Sequence, residues 1–132
     1  MAGTSVETKD LSALLYDIID ALPNVRAYAF IADNVRVPAA VIGQPTLDFT
    51  DQSGGFCRAV WQFPVTVITS RSSERNAQAE MSRLLLDIVT ALGAADPAEV
   101  LSLEPLTARP LPGVAVNGQE LPAYQLDVRI RA

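Results

Sequence analysis

Few residues of this chain have the types and spacing for chemistry. Arg71 and Arg75 flank Ser72 and Ser73 where an amphipathic helix should begin. Backbone amides, two hydroxyls and two guanidiniums in that order can hold a phosphate or a carboxylate. Glu74 weakens that field, no glycine-rich loop precedes it, and simple capping with solvated arginines uses the same residues. Asp17 and Asp20 stand three apart on a helix. That spacing lets two carboxylates share a cation or a proton, and a solvated helix face shows it equally. Cys57 is the one cysteine. A reactive thiol needs a nearby base or a helix N-terminus to lower its pKa. The chain has no His to serve as that base, so Cys57 is expected to be dispensable.

The missing histidines remove His triads, His general bases and imidazole metal sites together. One Cys allows neither an intrachain disulfide nor a thiolate zinc cluster. No glycine-rich dinucleotide or nucleotide loop occurs. The expectation is therefore no catalytic residue, no metal ligand and no cofactor. The net charge of −5 disfavours tight duplex binding, which needs many phosphate contacts from a basic face. No apolar run approaches the ~20 residues needed to cross a bilayer, and the first residues lack a basic segment followed by an apolar one. Neither a membrane partner nor a signal peptide is expected. Hydrophobic residues make up 49% and charged residues 19%. A low charge content leaves apolar surface that could meet partner subunits.

The elements that must position these residues follow from periodicity. Leu11, Leu14, Leu15, Ile18, Ile19 and Leu22 lie on one face of a helix that Pro23 and Asn24 should end. Strands are expected at residues 25–31, 37–42 and 59–69, with 46–50 extending the second beyond Pro45. Trp61, Phe63, Val65 and Val67 share one face of the third at period two. Pro64 should mark an edge or a bulge. A second helix is expected at residues 74–92, with Ala77, Met81, Leu84, Leu85, Ile88 and Leu92 inward and Gly93 as the left-handed residue after it. Asp96-Pro97-Ala98-Glu99 should open a short helical turn near Leu101. Residues 103–108 read as a strand, and Asn117-Gly118 as a tight hairpin turn. Residues 123–131 alternate, with Tyr124, Leu126, Val128 and Ile130 on one side. The order α-β-β-β-α-β-β predicts one α+β domain over residues 1–132, flexible over about 1–8. An antiparallel sheet with both long helices on one face is expected.

Interaction surfaces are the remaining candidates. Val37 and Val41 belong to a strand that is apolar on both faces, which suits a central strand or a subunit contact. Asp51, Gly54, Gly55, Phe56 and Arg58 form a long hairpin tip able to reach a neighbour. Arg129 and Arg131, two apart on the polar face of the last strand, could face a neighbour or a channel.

The element order and local wording resemble the tail terminator proteins of long-tailed bacteriophages, over roughly residues 11–130. The resemblance rests on Pro38-Ala39-Ala40-Val41-Ile42-Gly43-Gln44-Pro45-Thr46-Leu47-Asp48 and on Trp61-Gln62-Phe63-Pro64-Val65-Thr66-Val67. It continues in Ser70-Arg71-Ser72-Ser73-Glu74-Arg75-Asn76-Ala77-Gln78 and in the closing Tyr124-Gln125-Leu126-Asp127-Val128-Arg129-Ile130. It implies a hexameric ring that caps the head-proximal end of the tail tube, stops tube polymerisation and joins the head. Implied partners are further copies of the chain, the tail tube protein and the head-tail connector or stopper protein. Phage DNA would pass through without specific binding. The implied location is the virion neck, after assembly in the host cytoplasm. Two alternatives stand beside it. One is another neck, head-closure or minor tail component. The other is a small dimeric ligand-binding domain drawing on Asp48, Asp51, Arg58, Arg71 and Tyr124.

Overall fold

The computed structural model describes residues 8–29, 35–48, 60–69, 74–95, 102–112, 114–116 and 118–131. The expected N-terminal flexibility, the 51–55 tip and the helical turn near Leu101 lie outside these residues. Among them, two helices, α1 (Thr8–Asp20) and α2 (Glu74–Ala94), accompany eight strands. The strands are β1 (Arg26–Tyr28), β2 (Ala39–Ile42), β3 (Thr46–Asp48), β4 (Val60–Ile68), β5 (Ser102–Pro110), β6 (Val114–Val116), β7 (Gln119–Leu121) and β8 (Ala123–Arg131).

Five strands run side by side as β1-β2-β4-β8-β5, and β3 pairs with β4 beyond the end of β2. The nine-residue strand β4 is the spine. Its whole length pairs with β8, from Val60 opposite Arg131 to Ile68 opposite Ala123. On its other side, residues 65–68 pair with β2 and residues 60–62 pair with β3. Gly43, Gln44 and Pro45 bridge those two short strands opposite Phe63 and Pro64. Three residues facing two is a bulge, and Pro64 sits there, where a missing N–H costs no regular ladder bond. The bulge expected at Pro64 therefore occurs inside a central strand rather than at an edge.

The sheet departs from the antiparallel expectation at one place: β1 and β2 run parallel, with Arg26 opposite Ala39 and Tyr28 opposite Val41. The Arg26 amide extends the pairing to the Pro38 carbonyl at 3.1 Å. Nothing in the period-two pattern distinguishes the two directions, so composition could not reveal it. The other edge, β5, is antiparallel to β8 and shifts register between Pro105 and Thr107.

Both helices pack on one face, as the periodicity predicts. Leu11, Leu15 and Ile19 of α1 and Met81, Leu84, Ile88 and Leu92 of α2 join one core with Ala40, Ile42, Trp61, Phe63, Val65, Val67, Leu126, Val128 and Ile130. Each Val, Leu, Ile, Met or Phe side chain among them, fully buried, is worth about 1.5–3 kcal/mol of transfer free energy. The expected end of α2 is corrected: Gly93 lies inside the helix, which runs on to Ala94. The Ala95 amide still donates to the Ala91 carbonyl at 3.1 Å. One glycine in a last turn costs about 1 kcal/mol, too little to stop a helix already docked on a sheet.

Among the described residues, the other face of the sheet is covered at one end only. Strands β6 and β7 pair into a ribbon, with Val116 opposite Gln119 and Gly118 in the turn between them, and Asn117 lies outside the described residues. Gly118 has φ of 80°, which glycine adopts without steric cost. Leu121 and Val114 bring this ribbon into a second cluster with Val35, Ala39, Val41, Ile68 and Ala123.

Candidate interaction surface

The second cluster decides what the apolar faces of β2 do. Val41 is buried there, and Val37 packs half-buried against it. Ala40 and Ile42 face the helices. Both faces of β2 are thus satisfied within one chain. The ribbon that covers the second face was hard to read in advance, because β7 has three residues and no alternation to show.

Beyond the ribbon, the same face is polar, and no described element covers it. Alternation along β8 places Gln125, Asp127, Arg129 and Arg131 on it, opposite the buried Leu126, Val128 and Ile130. Alternation along β4 adds Gln62 and Thr66. Two residues apart on a strand is roughly 7 Å, so neighbouring polar side chains can meet. The Gln125 amide donates to Asp127 Oδ1 at 3.0 Å. Arg129 Nη1 donates to Glu104 Oε1 of β5 at 3.4 Å. Their side chains are 37% and 50% exposed, and an exposed pair of this kind contributes about 0–1 kcal/mol.

At the far end of this face, Asp48, Val60, Gln62, Arg129 and Arg131 line a shallow cleft of about 240 Å³. The structure therefore brings together Arg129 and Arg131, as their spacing suggested, and adds Asp48 from β3 across β4. Sequence reasoning missed Val60, Gln62 and Glu104. The period-two pattern of β4, with Gln62 and Thr66 on the side opposite Trp61 and Phe63, was the signal for the first two. Glu104 became visible only through the register of β5 against β8, which sets it opposite Arg129.

The other candidates separate from this surface. Asp20 is exposed, and its Oδ1 accepts a 3.4 Å hydrogen bond from the Ala27 amide, so it caps β1. Asp17 is exposed on α1. Tyr124 packs half-buried against the main core, away from the cleft. Asp51, Gly54, Gly55, Phe56, Cys57, Arg58, Arg71, Ser72 and Ser73 lie outside the described residues, as does the side chain of Arg75. Among the described residues no three of Cys, Asp and Glu gather to hold a metal ion, and no helix is long and apolar enough to cross a membrane. The arrangement suits non-covalent docking: two guanidiniums, an amide and a carboxylate around a half-buried valine.

No family model matches this chain, and no curated protein matches it. A solved structure does match: a chain of the virion of a native gene transfer agent particle. It is 20% identical, aligns over 96% of this chain and 98% of that one, and has a TM-score of 0.64. Over essentially the full length of both chains, this protein shares the α+β fold of that virion chain.

Proposed function

We propose that the chain is a structural virion protein of the tail-terminator kind. It forms a ring, of six copies as the sequence resemblance implies, at the head-proximal end of a tail tube. The ring ends tube polymerisation and offers a joining surface to the head. The observation that carries this reading is the full-length fold likeness to a chain of a virion particle, together with the residue-level resemblance to tail terminators. The chemistry of the open sheet face supports it, because the cleft is built for weak polar docking rather than for bond making. A chain with net charge −5 also suits a ring that DNA must traverse without sticking.

The test is negative-stain microscopy of the purified protein mixed with tail tubes. Rings at one end of the tubes support the proposal. Rings seated on capsid portals, with tubes left bare, would transfer the protein to head closure.

A further inference from the structure

We infer that the outward side of α2 in one copy seats on the open half of the sheet in the next. Leu86 enters the cleft beside Val60, and the Asp87 carboxylate meets Arg129. This rests on the ring reading and deepens it. A contact between two different surfaces of one chain is the heterologous kind from which rings are built.

The first observation is Leu86 itself. It is 67% exposed, while the core takes Met81, Leu84, Ile88 and Leu92 from the same helix. A single exposed leucine is ordinary, so a complementary surface is needed. The cleft supplies it, since about 240 Å³ admits a leucine side chain and Val60 gives it apolar contact.

The second observation is charge. Together α1 and α2 carry six acidic residues and three basic ones. The cleft sets two arginines against Asp48. Asp87 follows Leu86 directly, is exposed, and enters no ion pair among the described residues. Arg129 holds Glu104 only by a long, exposed contact that a second carboxylate can share. The acidic helix layer and the arginine-bearing sheet face lie on opposite sides of the molecule. Occupying one leaves the other open for the next copy, so the contact propagates.

A charge-swap cycle read by sedimentation velocity tests this on the full chain. The variants are R129E, D87R and the two combined, each checked for folding by circular dichroism. Either single change should weaken self-association by about tenfold, and the combination should recover most of that loss. Leu86→Lys should weaken association without unfolding the chain. Equal association of all variants while rings still form overturns the contact and leaves the ring reading standing. A wild-type chain that stays monomeric at every concentration and forms no rings on tubes removes both. Short duplex DNA that binds the parent and D87R but not R129E, with self-association equal in every variant, would assign the cleft to nucleic acid and overturn the inference.

Discussion

Gly43 lies directly against Pro64 where β4 passes the break between β2 and β3. The Gly43 amide donates to the Pro64 carbonyl at 2.8 Å. A Cβ at position 43 would stand 3.0 Å from Pro64 Cγ and 3.2 Å from Pro64 O. The glycine is small because the bulge brings a ring and a carbonyl onto it. Gly43→Ala should therefore destabilise the fold by about 1–3 kcal/mol, the usual cost of overpacking. Urea denaturation measures it, and an unchanged midpoint would show that Pro64 yields freely.

Thr69 provides a prediction of opposite sign. It is fully buried just after β4, and its hydroxyl oxygen has no hydrogen-bond partner among the described residues. Its amide still donates to the Pro122 carbonyl at 3.1 Å. An unsatisfied buried hydroxyl costs about 1–3 kcal/mol. Thr69→Val keeps the shape and removes the hydroxyl, so it should raise stability by about 1 kcal/mol. A lower melting temperature for the variant would contradict this.

Phe63 fills the centre of the main core and is fully buried. Phe63→Ala should cost about 3–5 kcal/mol, against a total stability of only about 5–15 kcal/mol for a domain. Loss of most cooperative thermal unfolding is expected. A variant that melts like the parent would mean that the helices and sheet are not packed as described.

Gly118 carries φ of 80° with open space around its Cα. Gly118→Ala should cost about 1 kcal/mol through backbone strain alone. Because the turn lies at the ribbon, away from the cleft, self-association of the folded variant should match that of the parent. Sedimentation velocity beside a denaturation curve separates the two effects.

Much of this architecture was legible because it rests on local periodicity. The Trp61–Val67 and Leu126–Ile130 alternations each report which face is buried, and of the α1 stripe Leu11, Leu15 and Ile19 are buried while Leu14, Ile18 and Leu22 are half-buried at its margin. Long-range pairing has no such local signature. The parallel β1–β2 pair and the split of one strand into β2 and β3 along β4 depend on how distant segments meet. The surface showed the same division. Arg129 and Arg131 follow from spacing, whereas Asp48 and Glu104 join them only through register. The choice between central strand and subunit contact for Val41 stayed open in the sequence because the ribbon that buries it is built from two three-residue strands.

The role we propose for this protein is to end a tail tube. Its most direct test is the length distribution of tails, measured by electron microscopy, in particles assembled without this chain. The account predicts filled heads beside overlong, unjoined tails. Normal-length tails attached to heads, or a block before heads fill, would contradict it.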